Sequence, residues 1–150
     1  MNCSLREIDK TNYMQACELK VSKQQEYLLA PNMLSIVEAA YHDNYVVRGI
    51  YRDELLVGFF MWVHETCSKT SIWRFMVDAR YQGNGIGRLA LDLALEEIQM
   101  KNGLKEIEIR YNPDNPVAQR FYSSFGFVDT AMDEEHGDML AVIRLPKGSD

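Results

Sequence analysis

The stretch at residues 76–88, which reads MVDARYQGNGIGR, constrains the fold of this chain more than any other. An apolar strand ends here, glycines follow at positions 83, 85 and 87, and an apolar helical pattern then begins. A strand-to-helix turn of this kind points backbone N–H groups at whatever lies in front of the helix, and glycines allow a close approach. The stretch therefore predicts a turn that binds a phosphate group.

The spacing of these glycines distinguishes the turn from two common phosphate-binding motifs. A dinucleotide-binding fold requires G-x-G-x-x-G near its first strand, with an acidic residue about 20 positions later, and a Walker loop requires G-K-[ST]. Neither pattern is present, and the turn lies past the middle of the chain. A tight structural connection would explain one or two glycines, whereas three in five positions between Gln82 and Arg88 favour a bound phosphate.

Hydrophobic periodicity along the whole chain predicts the element order β-α-α-β-β-β-α-β-α-β-β. Helices interleaved with strands and hairpins indicate an α/β (α+β mixed) fold, in which one mixed sheet of about seven strands carries helices on both faces. A chain of 150 residues suits a single domain spanning residues 1–150. The predicted strands are 4–8, 45–51, 55–63, 71–77, 106–111, 127–130 and 139–145. The predicted helices are one capped by Asp9 or Thr11 that runs to about residue 21 (with a less regular continuation through residue 30), one that follows a cap at Asn32 and runs to about residue 41, and two at 85–101 and 115–124.

Single residues predict local geometry within these elements. Asn32 is expected to cap the second helix, and Asn115 followed by Pro116 is a strong start for the last one. Gly58, inside an apolar strand, indicates a β-bulge or a close approach of another backbone. In the strand at 71–77, alternation places two sets of side chains on opposite faces: Trp73, Phe75 and Val77 on one, and Ile72, Arg74 and Met76 on the other.

Composition excludes several classes of partner. The net charge is −6 and no long basic cluster is present, so we expect no nucleic acid partner, while a cationic small molecule suits the acidic balance. We expect no membrane partner and a cytoplasmic location, since no apolar run would span a bilayer or act as a signal peptide. Cys3, Cys17 and Cys67 are expected to be free thiols, and no metal-ligand spacing links them with the histidines.

Two motifs resemble those of the GNAT family of N-acetyltransferases. The string at residues 82–87 resembles the Q/R-x-x-G-x-G/A motif of that family. A second signature follows at a similar distance, with Asn115, Ala118, Phe121 and Tyr122 in the pattern N-x-x-A-x-x-F-Y, and then a Gly-Phe pair at 126–127. The resemblance covers nearly the whole chain, and it implies a mostly antiparallel sheet and acetyl-CoA as co-substrate, with no metal.

The resemblance also implies roles for individual residues. Backbone groups beside the fourth strand would pair with the pantetheine arm, amides of the glycine turn would hold the pyrophosphate, and an asparagine would contact the cofactor. A tyrosine would act as general acid by protonating the departing CoA thiolate. The residues at these positions are Met76 and Val77 for the pantetheine, Gln82, Gly83, Asn84, Gly85, Ile86, Gly87 and Arg88 for the pyrophosphate, Asn115 for the cofactor contact and Tyr122 for the acid.

Each of these roles has a structural alternative. Tyr122 could be a half-buried core aromatic, and Asn115 is fully explained as a helix cap. Acetyl transfer to an amine nevertheless requires a neutral nucleophile, a polarised carbonyl and a proton for the leaving thiolate. A tyrosine with a pKa of about 10 can donate that proton to a thiolate with a pKa of about 8.5 when it is well positioned.

A further similarity concerns the acceptor. The pattern Q-x-Y-x-x-A-P-N at residues 25–32, with the runs at 75–78, 81–83 and 109–115 and the turn at 137–138, is similar to the Blt-type bacterial spermine/spermidine acetyltransferases. This implies a polyamine or diamine acceptor, whose ammonium groups would need carboxylates. The candidates are Glu26, Glu65 and Asp138, with Glu134 and Glu135 beside them, and each could equally be solvated acidic surface.

The general base stays unassigned. His64 and Glu65, at the end of the third strand, are candidates. The mammalian polyamine acetylases carry an acidic pair where this chain has Trp73 and Arg74, so Arg74 is expected to pair with a nearby carboxylate or to help bind an acidic group of the substrate. Other readings remain open: an aminoglycoside-like antibiotic, an amino acid or a protein N-terminus as acceptor, a non-catalytic acetyl-CoA sensor, or a structural module. A homodimer is possible, as in much of the family.

Overall fold

A computed structural model of the chain describes residues 2–21 and 31–146. Seven strands form one sheet in the order β1-β2-β3-β4-β5-β7-β6, and every neighbouring pair is antiparallel except β4 and β5, which are parallel. The element order matches the prediction. The strands are β1 (Cys3–Glu7), β2 (Tyr45–Arg52), β3 (Leu55–His64), β4 (Lys69–Val77), β5 (Glu106–Tyr111), β6 (Val128–Asp133) and β7 (Asp138–Arg144), and the helices are α1 (Tyr13–Glu18), α2 (Asn32–Tyr41), α3 (Ile86–Gln99) and α4 (Pro116–Ser123), with a 3-10 turn at Ala79–Tyr81.

Apolar clusters on both faces of the sheet confirm that helices cover both sides. The first cluster joins the sheet to α3 and α4, with Phe60 and Ile107 of the sheet packed among residues such as Ala90. The second cluster joins the opposite face to α1 and α2, with Phe59 and Met76 of the sheet beside Ala16. Because β3 is buried on both faces, its near-continuous apolar run is that of a central strand.

The parallel ladder between β4 and β5 ends before the strands do. It pairs residues 69–72 with 106–109, and the last pair is Ile72 with Ile109. β4 continues to Val77 and β5 to Tyr111. We call the region between residues 73–77 and 110–111 the β4–β5 gap. Backbone N–H and C=O groups that face it can pair with a ligand instead of a strand.

A bulge in β4 sits where the gap begins. Arg74 pairs with Met61 and Ile72 with Trp62, so that Trp73 is an extra residue on its strand. An extra residue moves the side chains before it to the other face. Ile72 therefore belongs to the first cluster, as do Phe75 and Val77, whereas the Trp73 ring packs at 5.3 Å against Tyr45 on the second. The predicted faces of Ile72 and Trp73 were wrong for this reason.

The predictions for Gly58 are both confirmed. The β2–β3 register skips Val57, which makes a second bulge next to this glycine. A Cβ atom on Gly58 would lie 2.5 Å from the carbonyl oxygen of Met76. The backbones of β3 and β4 thus approach each other closely beside the β4–β5 gap, and only glycine permits this approach.

Helix boundaries differ from the prediction near the N-terminus. α1 ends at Glu18 rather than at residue 21, and its expected continuation over residues 22–30 lies outside the described residues. Pro31, not Asn32, is the N-cap of α2. Asn32 is the first helical residue, and its buried side chain bonds to other elements instead of capping its own helix.

Candidate active site

The candidate site lies at the edge of the sheet where β4 and β5 end. Because these strands are parallel, their carboxyl ends lie at the same edge, next to the β4–β5 gap. β7 runs antiparallel to β5, and its pair of Met139 with Tyr111 brings the β6–β7 turn to that edge. The glycine turn follows β4 and α4 follows β5, so both motifs of the sequence meet here.

The glycine turn presents free backbone donors in front of α3. Gly83 and Gly85 have φ values of 84° and 78°, and Gly85 is the N-cap of α3. A Cβ atom at either position would meet nothing within 4 Å, which leaves open space before the helix. Within the described part of the chain, the amides of residues 83–88 donate no hydrogen bond. Unpaired amides at a helix N-terminus favour an anion such as a phosphate.

Side chains around the turn anchor it to β4. The Gln82 Nε2 atom donates to the Val77 carbonyl oxygen at 2.9 Å. The Asp78 carboxylate accepts from the backbone N–H of Arg80 at 2.9 Å and from that of Lys20 at 3.0 Å. Burial raises the pKa of Asp78, but hydrogen bonds from the Arg80 side chain and from these two backbone N–H groups outweigh it and lower the pKa overall. The turn is thereby held in place without any contribution from a ligand.

Two of the expected cofactor residues, Met76 and Ile86, can contribute only through their backbone, and the side chain of a third, Arg88, contacts the end of α4. The side chains of Met76 and Ile86 are buried in the two clusters. The Arg88 guanidinium lies 4.6 Å from the centre of the Phe125 ring, and its Nη2 atom donates to the Ser124 Oγ atom at 2.7 Å. Arg88 therefore ties α3 to the end of α4.

Tyr122 on α4 lies beside the end of β5. Its ring packs at 6.0 Å from the rings of both Tyr111 and Phe127. Its hydroxyl has no hydrogen-bond partner among the described residues. Every fully buried polar side-chain atom in those residues does have a partner, so this hydroxyl is not fully buried and solvent reaches it. Burial raises the pKa of Tyr122 to about 12, so the phenol is protonated at neutral pH. The Tyr111 hydroxyl, in contrast, donates to Asp129 at 2.7 Å.

Asn115 has the cap role that its sequence context predicts. Its Oδ1 atom accepts from the backbone N–H groups of Val117 and Ala118, both at 3.1 Å. The Nδ2 atom has no partner in the chain as described, so the amide still has two donors for a ligand. The cap and the predicted cofactor contact are therefore compatible.

The structure places the acidic residues that were candidates for binding the acceptor at opposite edges of the sheet. Asp138 opens β7 at the same edge as Tyr122, and Glu134 and Glu135 are exposed in the turn before it. Glu65 lies at the opposite edge, where its carboxylate accepts from the Ser71 hydroxyl at 2.9 Å. Val77 lies six positions beyond Ser71 in β4, a distance of about 20 Å. Glu26 lies outside the described residues.

His64 lies at that opposite edge too. Its Nδ1 atom is 2.6 Å from the Thr70 hydroxyl, and Thr70 is at the start of β4. Burial, with a smaller effect of the Lys101 charge, lowers the pKa of His64. The structure therefore brings neither His64 nor Glu65 close to Tyr122, and the general base remains unassigned.

Arg74 and Asn32 form a buried polar pair that sequence patterns did not reveal. Arg74 is 7% exposed and Asn32 is 3% exposed. The Arg74 Nε atom donates to the Asn32 Oδ1 atom at 2.8 Å. The only sequence signal was an arginine inside an apolar strand, which alternation alone could not place near α2.

One cluster has the residue types of a metal site. Ligand atoms of Asp133, Glu135 and His136 lie within 4.8 Å of one another in the β6–β7 turn. Asp133 already pairs with His136 at 2.8 Å and with Arg110, so these contacts account for the cluster.

No helix in the described stretches is long and apolar enough to cross a membrane.

Comparison with known proteins decides the family. The sequence profile of the acetyltransferase (GNAT) family matches residues 4–127, which is most of the chain. The chain belongs to this family. The resemblance predicted from the glycine turn and from the signature around Tyr122 is thereby confirmed, and so is the mostly antiparallel GNAT fold.

Relatives of known type agree with the family. The spermine/spermidine N(1)-acetyltransferase of Bacillus subtilis (strain 168) is 26% identical over 152 residues, which cover 97% of this chain and 100% of that protein. The spermidine N-acetyltransferase from Vibrio cholerae, solved in complex with CoA and spermine, has a TM-score of 0.77 at 16% identity and covers 95% of either chain. A GNAT acetyltransferase from Elizabethkingia anophelis, solved with acetyl-CoA bound, has a TM-score of 0.72 at 14% identity and covers 96% of this chain and 99% of that one.

Proposed function

We propose that this chain transfers an acetyl group from acetyl-CoA to a primary amine of a small diamine or polyamine, with Tyr122 as the general acid. One observation carries the proposal. The Tyr122 hydroxyl and the amides of the glycine turn, which have no partners among the described residues, lie at the edge of the sheet where β4 and β5 end.

The residues at this edge fit acetyl-CoA. The pyrophosphate would bind the amides of residues 83–88, where Gly83 and Gly85 leave open space. The pantetheine amides would pair with the backbone of Met76 and Val77 in the gap, and the Asn115 Nδ2 atom is available for a further contact. Acetyl-CoA supplies the acyl group in the activated form of a thioester.

Tyr122 would supply the proton that neutralises the departing CoA thiolate. The amine nitrogen, in its unprotonated form, acts as the nucleophile and forms a bond to the acetyl carbon while the carbon–sulfur bond breaks. The sulfur leaves with the electron pair of that bond and takes a proton from the Tyr122 hydroxyl, and the amide nitrogen loses its extra proton to water. Solvent returns a proton to Tyr122. A phenol whose pKa is about 12 is a weak acid towards a thiolate of about 8.5, so close positioning is needed.

Three features support a diamine or polyamine as acceptor. The Bacillus subtilis relative is named for spermine and spermidine, and the Vibrio cholerae structure contains spermine. Asp138 and the exposed carboxylates of Glu134 and Glu135 lie at the edge that holds Tyr122, where they would attract an ammonium group. The net charge of −6 favours cations in general. Glu65 is too far from this edge to take part in the same site.

A panel of amines tests the proposal. Release of the CoA thiol would be measured with spermine, spermidine, putrescine, simple monoamines, an aminoglycoside and a peptide with a free N-terminus. We expect kcat/KM for the preferred diamine or polyamine to exceed that of a monoamine of equal length by at least about 10-fold, because a second charge-assisted contact forms. Tight acetyl-CoA binding with no turnover of any amine would instead identify a sensor.

The wider assignments are part of the same proposal. We place the protein in the cytoplasm because Cys3, Cys17 and Cys67 are all free thiols. We treat residues 1–150 as one acetyltransferase domain with neither nucleic acid nor membrane as partner, and a homodimer remains a possible assembly. Size-exclusion chromatography with light scattering would measure that assembly directly.

A further inference from the structure

Arg74 occupies a distinctive position in β4. It is the first residue after the bulge at Trp73, and it lies just past the last pair of the parallel ladder, at the start of the β4–β5 gap. Its Nε atom donates to Asn32 at 2.8 Å, and the Asn32 Nδ2 atom donates in turn to the Ala16 carbonyl oxygen at 2.9 Å. The guanidinium is thus fixed on the α1–α2 side of the sheet.

This guanidinium has no anionic partner among the described residues. Several other arginines do, for example Arg48 with Glu97 at 2.9 Å and Arg80 with Asp78 at 2.9 Å. Arg74 is nevertheless the most buried of the arginines that are described. Burial lowers its pKa to about 10, which still leaves the group charged at neutral pH. A buried charge that lacks a counter-ion is costly, and a ligand with the opposite charge would offset that cost.

The unused donors of Arg74 can reach a ligand. Among the described residues, only the Nε atom of Arg74 has a hydrogen-bond partner, and no fully buried polar side-chain atom lacks one. The terminal Nη atoms are therefore accessible to solvent. Their N–H groups form a planar fork that matches a carboxylate in two parallel hydrogen bonds. Since Asn32 already holds the Nε side, little side-chain entropy remains to be lost on binding.

The sheet separates Arg74 from the proposed phosphate site. The glycine turn lies in front of α3, and α3 packs on the first cluster with Phe75 and Val77. Arg74 bonds to α2 on the opposite face. The anion that binds Arg74 would therefore be a carboxylate of the acceptor and not a phosphate of CoA.

We infer that Arg74 binds a carboxylate of the acceptor, so that the preferred acceptor within the diamine class is a diamino acid. The inference rests on the proposed acetyl transfer and narrows it. A plain polyamine has only ammonium groups to offer to this guanidinium, which repels them. The acidic β6–β7 turn, at the edge where β5 ends, remains available for the second amine.

Matched pairs of acceptors test the inference in the wild-type protein. Each pair differs by one carboxylate: putrescine and ornithine, cadaverine and lysine, 1,3-diaminopropane and 2,4-diaminobutyrate. We expect kcat/KM to be at least about 10-fold higher for the diamino acid in the preferred pair, mostly through KM, because charge-assisted hydrogen bonds form. A ratio of one or below in every pair, with measurable turnover, would overturn the inference and leave the transferase intact.

Two variants connect the preference to this side chain. In Arg74→Gln the ratio of kcat/KM for the diamino acid to that for its matched diamine is expected to fall at least about fivefold. In Arg74→Lys it should fall by less, since a point charge replaces the planar guanidinium fork. Arg48→Gln removes an arginine of β2 that pairs with Glu97, and it serves as the matched control whose ratio should not change. An unchanged ratio in Arg74→Gln would show that Arg74 only supports α2. If acetyl-CoA does not bind or no amine is acetylated, the proposed function itself fails.

Discussion

At the scale of residues, two neighbouring tyrosines differ in what their hydroxyls contact. The rings of Tyr111 and Tyr122 lie 6.0 Å apart. The Tyr111 hydroxyl donates to Asp129, whereas that of Tyr122 has no partner within the described residues. Burial raises the pKa of each to about 12, with the Asp129 contact also contributing at Tyr111. Only Tyr122 can therefore give its hydrogen bond to a ligand.

The Tyr122→Phe variant tests that difference. The change keeps the ring and its packing but removes the hydroxyl, so we expect kcat to fall at least about 10-fold while the Kd of acetyl-CoA changes little. Steady-state kinetics and isothermal titration calorimetry would measure the two quantities. The control is Tyr111→Phe, which removes a hydroxyl that already donates its hydrogen bond to Asp129. Unchanged turnover in Tyr122→Phe would remove this residue from the chemistry.

The pH profile provides a second readout for Tyr122. Its folded-state pKa of about 12 lies above the unfolded value of about 10. The neutral phenol therefore persists through pH 10, and its contribution to stability is present below that pH and is lost as the pH rises towards 12. A decline of kcat below about pH 10 would have to be assigned to another group.

At the scale of elements, the bulge and the end of the parallel ladder in β4 shape the site. The bulge at Trp73 moves Ile72 to the first cluster, while Arg74 still faces α2 and Phe75 still faces α4 on opposite sides of the sheet. The sequence predicted the strand and its neighbours, but not the bulge, because an extra residue changes side-chain faces without changing composition. The separation of β4 from β5 depends on pairing between strands that are more than 30 residues apart.

Close contact between β3 and β4 predicts the effect of Gly58→Ala. The new Cβ atom would lie 2.5 Å from the Met76 carbonyl oxygen, a backbone atom that can move only with its strand. We expect unfolding free energy to fall by at least about 2 kcal/mol, measured by urea denaturation. The matched control is Gly49→Ala, whose Cβ would lie 2.8 Å from the end of the Leu56 side chain and should be tolerated better. Equal losses in the two variants would contradict the prediction.

At the scale of the whole molecule, the sheet is covered on both faces but incompletely paired near its centre. The two apolar clusters bury β3 on either side, while the β4–β5 gap leaves backbone groups beside Met76 and Val77 without a neighbouring strand on that side. A ligand that pairs with both the gap and the glycine turn would connect two halves of the sheet. Binding should therefore stabilise the entire fold.

Thermal unfolding measures that stabilisation. Acetyl-CoA at 100 times its Kd adds about 2.7 kcal/mol, which corresponds to a rise in Tm of about 5–10 °C for a domain of this size. Gly85→Ala should reduce the rise, because a side chain at φ 78° strains the turn and fills the space before α3. Gly137→Ala, at φ 73° in the β6–β7 turn, carries similar strain and should keep the full rise. No rise in wild type would refute the proposed cofactor.

The sequence by itself determined the element order, the N-cap at Asn115, the glycine turn and the family, because each depends on residues that are close together in the chain. Tertiary structure decided which residues share a site. It placed Asp138 at the same edge of the sheet as Tyr122 and Glu65 at the opposite edge, although both are acidic residues beside strand ends. It also brought Arg74 to Asn32 across 42 positions, since only the packing of α2 on the bulged β4 could pair them.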